Sequence, residues 1–144
     1  MVGSRVVQQS GARHRERGAA LVEFAIVSIV FFTFVFGITE FGRMIFDYNL
    51  VSTATRDGAR WASVRGNTGR QTATATDVQS YVVGRALGRL TTSNVTVTWV
   101  GTGGNKPGNR VVVTSQLNFS SIVSNIIPFT NIPLYSTTEM KISR

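Results

Sequence analysis

Gly18 to Ile38 reads GAALVEFAIVSIVFFTFVFGI, and this stretch decides the fold. From Ala19 it is twenty residues with a single charge, Glu23, and thirteen of the twenty are Leu, Val, Ile or Phe. About 20 apolar residues at ~1.5 Å rise each cross the ~30 Å hydrocarbon core of a bilayer, so the length fits a transmembrane helix. On insertion scales the large apolar side chains contribute roughly 4 to 8 kcal/mol, against about 2.5 to 3.5 kcal/mol for one carboxylate at the bilayer centre and less near the helix start. Insertion survives Glu23. A carboxylate in a span still needs a partner, so Glu23 either snorkels to the headgroups or pairs with a charge at the start of the helix.

Arg5, Arg13, Arg15 and Arg17 precede the span, whereas only Arg43 follows it closely. The positive-inside rule then puts the N-terminus in the cytoplasm and the C-terminal part outside. A cleaved secretory signal has an apolar region of about 7 to 15 residues and a small-residue site beyond it. Here the run is longer, and Thr39-Glu40-Phe41-Gly42-Arg43 offers no such site. The span is expected to stay attached to the C-terminal part of the chain. Met1 to Arg17 has no apolar period and reads as a disordered cytoplasmic leader, in which His14, the only histidine, is solvated.

Arg17-Gly18-Ala19-Ala20-Leu21-Val22-Glu23-Phe24 resembles the processing site of a type IV prepilin. The longer string RGAALVEFAIV…FGITEFGRMIFDYNLVSTATRDGARWAS is similar to the TadE-like family, minor pilins or pseudopilins of the tight-adherence pilus. Three elements carry the likeness in order: the RGAA start, the EFGR exit at Glu40 to Arg43, and Ala54-Thr55-Arg56-Asp57-Gly58-Ala59-Arg60. The resemblance covers Arg17 to about Ser63 closely, and the remainder only in its strand-rich character. It implies cutting after Gly18 by a prepilin peptidase, so that the mature chain begins at Ala19 with Glu23 in fifth place. It also implies that the N-terminal helix joins other pilins and pilus assembly proteins. Glu23 would then pair with the new amine on Ala19, in its own chain or a neighbour's.

The 144 residues include no Cys, which excludes disulfides and thiolate metal sites, so packing must stabilise the fold. The formal charge is +8, and about +5 without the first eighteen residues, which hold four arginines and one glutamate. Helical periodicity continues past the span to Val64, with Met44, Tyr48, Val51, Thr55, Ala59 and Ala62 on one face and Asn49, Arg56 and Arg60 opposite. Anchor and extension read as one helix of about 46 residues, roughly 70 Å long. Arg43 is placed to pair with Glu40 and with Asp47 on a solvated face. Gly37 and Gly42 stand at the membrane exit, where they permit a bend or close helix approach.

Arg65 to Arg70 breaks the period, and a second helix follows with Thr76 or Asp77 as N-cap, Val78, Val82, Ala86 and Leu90 as its apolar stripe, and Gly88 at its end. From Asn94 the period becomes 2. Val95 to Trp99 and Val111 to Phe119 are predicted strands, joined by the glycine-rich turn Gly101 to Asn109, and Leu134 to Ser143 is a third. Ser120 to Pro133 holds Ile122, Val123, Ile126, Ile127, Phe129 and Ile132, and either plugs the core or forms an apolar patch for a partner. The expected class is α+β: a long transmembrane and amphipathic helix, a small helix and a three-stranded antiparallel sheet. The expected divisions are a cytoplasmic leader (1–18), a span (19–38), an amphipathic extension (39–64) and a small extracytoplasmic domain (65–144).

No catalytic residues, cofactor or metal site is expected, because no nucleophile, base and orienter can be assembled without Cys and with the sole His in the leader. Lys106 is followed by Pro107, and the glycine spacing around it is wrong for a phosphate loop. Two functional classes remain. One is a minor pilin anchored in the inner membrane. The other is a membrane-held binding module, whose basic segment of Arg56, Arg60, Arg65, Arg70, Arg85 and Arg89, against Asp57 and Asp77, touches DNA, anionic lipid or an acidic partner. Nucleic acid is the less expected of these, because no stacking pattern of aromatics accompanies those arginines apart from Trp61.

Overall fold

The computed structural model describes residues 8–122 and 131–143, with side chains from residue 17 onward. It is α+β, as the sequence predicts. Helix α1 (Gln8–Ser63) and helix α2 (Ala75–Arg85) precede strands β1 (Val95–Val100), β2 (Arg110–Ser120) and β3 (Asn131–Lys141). The chain divides into two compact units, Met1–Phe41 and Gly42–Arg144.

The first unit is helical from Gln8, which corrects the expectation of a disordered leader as far as Arg17; residues 1–7 lie outside the described residues. The run Gln8 to Arg17 contains Gln, Ala, Arg and Glu and no Pro, and these straight-chain residues lose little rotamer freedom in a helix.

In the second unit the sheet order is β1-β2-β3, with both pairs antiparallel. Period-2 patterning sets the register. Trp99, Val111 and Met140 form one inward row, Val97, Val113 and Thr138 the next, and Val95, Ser115 and Ser136 a third. Pro133 fits on β3 because this is an edge strand, where a missing N–H need not interrupt a ladder. The inward face packs with the C-terminal part of α1 and with α2 around Val51, Ala54, Ala59, Ala62, Val78, Val82, Val95, Val111 and Val113.

The predicted stripe Val78, Val82, Ala86 and Leu90 is buried throughout. The cap lies earlier than the expected Thr76 or Asp77: Thr74 is the N-cap, and Asp77, the third residue of the helix, completes a capping box with it. Thr74 Oγ1 accepts from the Asp77 N–H at 3.2 Å, and Asp77 Oδ2 accepts from the Thr74 N–H at 3.0 Å and its hydroxyl at 2.6 Å. Two otherwise unsatisfied helix-end donors are thereby paired. These bonds, the side-chain one first and the backbone one second, hold the Asp77 carboxyl below its ordinary range.

The turn Gly101 to Asn109 does more than join strands. Asn105 Nδ2 donates to the carbonyls of Arg65 (3.0 Å) and Ala73 (2.8 Å), and the Asn105 carbonyl accepts from the Asn67 N–H at 2.7 Å. The hairpin thus fastens both ends of the loop between the helices. Of the apolar segment Ser120 to Pro133, residues 123–130 lie outside the described residues, and Ile122 and Ile132 at its edges are exposed.

Candidate functional site

Gly18, Ala19 and Glu23 lie on one uninterrupted helix and are all exposed. Glu23 stands four residues after Ala19, about 6 Å along the axis. From Leu21 to Ile38 the large apolar side chains point outward all round the helix, with Phe24 71 % exposed. The most apolar window has a mean hydropathy of 2.5 and no residue of it is buried. A helix apolar on every side is suited to lipid or to other helices. Its polar atoms fit that setting, since Thr33 Oγ1 donates to the Ile29 carbonyl and Thr39 Oγ1 to the Val35 carbonyl, each at 2.8 Å. Back-bonded hydroxyls of this kind leave no unsatisfied donor in a medium without water. Neither Gly37 nor Gly42 interrupts the helix, and a side chain at either would meet open space.

In the second unit the element Ala54 to Arg60 divides by face. Ala54, Thr55, Gly58 and Ala59 are buried, while Arg56 and Arg60 are exposed. The small residues bring α1 close to α2: a Cβ added at Gly58 would stand 2.2 Å from Val82 Cγ2. The Thr55 and Ser115 hydroxyls lie 2.8 Å apart, and Thr55 Oγ1 is 2.7 Å from the Val51 carbonyl. One hydroxyl carries one proton, so when Thr55 donates to Val51 it accepts from Ser115. This fully buried polar pair joins α1 to the middle of β2.

Asp47 corrects the expectation of a solvated face. It is 2 % exposed, and its ion-pair partner is Arg89, whose Nε lies 3.2 Å from Oδ1. That oxygen has no hydrogen bond of good geometry among the described residues, so the Arg89 charge compensates it. Tyr48, expected on the packed face, is instead 48 % exposed. The reach of Arg89 depends on the turn after α2, where Leu87 and Gly88 both have positive φ, 48° and 76°, and reverse the chain so that Leu90 returns to the core. The Arg43 guanidinium lies over the Phe119 ring, 5.4 Å from its centroid.

Beside Arg60, four side chains form a stack. The Trp61 and Tyr81 rings are stacked with centroids 5.2 Å apart, Arg65 lies 4.3 Å from the Trp61 centroid, and Arg85 lies 5.3 Å from that of Tyr81. Arg65 Nη1 donates to the Trp61 carbonyl at 3.2 Å and Arg85 Nη2 to the Tyr81 hydroxyl at 3.0 Å. Sequence reasoning marked the arginines and Trp61 but not Tyr81, because a pairing across twenty residues and two helices has no local pattern. For Asp47 the signal was present but ambiguous, since the same residue stands one turn from Arg43.

Among the described residues no group of three or more His, Cys, Asp or Glu side chains could hold a metal. Along α1 the order is therefore an exposed apolar stretch that follows Gly18, and then an element whose small residues are packed and whose arginines are exposed. Residues 18–60 match the family model of TadE-like protein. The TadE-like segment thus opens at Gly18 and closes at Arg60, the last residue of the small-and-basic element, and residues 61–144 lie beyond it. The matched model is that of a family of pilus components, not a known enzyme family. No curated protein and no solved structure matches the chain.

Proposed function

We propose that this chain is a minor pilin or pseudopilin of a tight-adherence pilus, anchored by one span with its N-terminus in the cytoplasm and Gly42–Arg144 on the far side. The observation that carries this reading is the TadE-like segment opening at Gly18, directly before an apolar helix with no buried residue in its most apolar window. A prepilin peptidase cutting between Gly18 and Ala19 would leave a cationic amine on Ala19. Glu23, about 6 Å further along the helix, can neutralise it in the same chain or in a neighbour. At that depth an unpaired charge is costly, so pairing favours one stagger between adjacent helices. The arginine imbalance around the span supports the orientation.

Intact-mass spectrometry after co-expression with a prepilin peptidase tests the processing. The expected product starts at Ala19, and Gly18→Val abolishes it. Full-length precursor in both strains would mean a plain signal anchor. A phosphatase fused after Arg144 should be active, and a cytoplasm-only reporter at the same place silent; the reverse pattern overturns the orientation.

A further inference from the structure

From Gly42 onward the sequence carries eleven Lys and Arg against four Asp and Glu. Three of those carboxylates are engaged elsewhere: Asp47 with Arg89, Glu139 with Arg110, and Asp77 in the cap of α2. Only Asp57 is left beside Arg60, Arg65 and Arg85, and no ion pair among the described residues engages those three arginines. A cleft of about 420 Å³ opens there, lined by Asp57, Arg60, Trp61, Val64, Tyr81 and Arg85. Its size lies within the range of ligand-binding clefts.

We propose that this cleft between α1 and α2 docks a segment of a partner protein that alternates acidic and apolar side chains. Three features select that occupant. Arg85, which lines the cleft, is held by the Tyr81 ring and hydroxyl, so binding a carboxylate there orders little that is not already ordered. Val64 is 49 % exposed on the same wall and gives an apolar neighbour a place to bury. Asp57 stands inside the cleft, where it repels a continuous line of phosphates but accepts the neutral side chain of a mixed peptide. Stacking of nucleobases is disfavoured as well, because Trp61 and Tyr81 are already in contact with each other and each is beside a guanidinium. The inference requires neither cleavage at Gly18 nor entry into a fibre.

The full chain in detergent micelles is titrated against a fluorescent peptide of repeated Asp-Glu-Leu, read by anisotropy. A Lys-Gln-Leu peptide, single-stranded DNA and micelles doped with phosphatidylglycerol serve as competitors. Arg60→Gln with Arg85→Gln is expected to weaken binding about tenfold or more. Arg110→Gln with Lys141→Gln removes the same charge from the outer sheet face and is expected to change it less than about twofold. Arg60→Glu, at an exposed position, is expected to abolish binding without disturbing the near-ultraviolet circular dichroism. Equal weakening by both double variants would reduce the effect to net charge and overturn the proposal. So would preferential binding of the DNA or the lipid, or an Arg60→Glu chain that binds as the parent does.

Discussion

Gly58→Ala adds one methyl group where α1 meets α2, at a place with no room for it. The new Cβ would lie 2.2 Å from Val82 Cγ2, more than 1 Å inside the separation of about 3.5 to 4.0 Å at which carbon atoms attract. Val82 is fully buried and β-branched, and a helical Val has one strongly preferred χ1, so the methyl has nowhere to turn. Overpacking of this kind costs about 1 to 3 kcal/mol. A clash this deep stands at the upper end of that range, and alanine recovers about 1 kcal/mol of helix propensity relative to glycine, which leaves a net loss of roughly 2 kcal/mol. At about 4 to 8 °C per kcal/mol for a domain of this size, the melting temperature should fall by roughly 8 to 16 °C. Near-ultraviolet circular dichroism of the full chain in micelles reads it through Trp61 and Trp99. Val82→Ala alone should also destabilise, by about 1.6 kcal/mol or more for two lost carbons. The combined variant is the sharper measurement, because the methyl added at Gly58 would occupy the space that the shortened Val82 side chain vacates, giving a favourable coupling of about 1 to 3 kcal/mol. Additivity within about 0.5 kcal/mol, or a Gly58→Ala chain as stable as the parent, would show that the close approach is not the reason for glycine.

Glu23→Gln should leave membrane insertion intact and lower both co-purification with pilus components and surface piliation; normal pili would reduce Glu23 to a snorkelling residue. Arg89→Gln should destabilise the second unit by about 1 to 3 kcal/mol by leaving the Asp47 carboxylate buried and uncompensated, and adding Asp47→Asn should restore part of the loss, both read by thermal denaturation. Asp77 titrates below its ordinary range in the folded chain, so its ionised form contributes stability above about pH 4 that is lost as pH falls through its lower folded value. Acid titration of thermal stability should therefore be shallower in Asp77→Asn than in the parent, and identical slopes would remove the cap as the cause.

The three strands and the stripe Val78, Val82, Ala86 and Leu90 were legible because each repeats a period that its burial imposes, and the helix through Ala19 to Ile38 because it is apolar on every side. The cap of α2 was misplaced because Thr74, Thr76 and Asp77 are all cap-forming residues. Only the reciprocal bonding of Thr74 with Asp77 distinguishes them. Asp47 was misread for a different reason. Helical spacing to Arg43 satisfied it locally, whereas its partner Arg89 arrives from a turn set by backbone angles at Leu87 and Gly88. Among the candidate site residues, Arg56 and Arg60 were correctly assigned to the face away from the core. The Trp61–Tyr81 stack, which positions the neighbouring guanidinium groups, depends on two helices meeting and leaves no trace in either alone.

The seam between α1 and its neighbours is mostly alanine and valine, and contacts of that kind have no direction, so by themselves they would let a helix slide along its axis at little cost. Sliding α1 by one turn, about 5.4 Å, would part the Thr55 hydroxyl from Ser115, draw the Gly58 gap away from Val82 and pull Asp47 from Arg89. Under tension along α1, these three contacts act as shear pins: they bear the axial load that the smooth surface cannot, and the first to fail sets the force at which the helix slips.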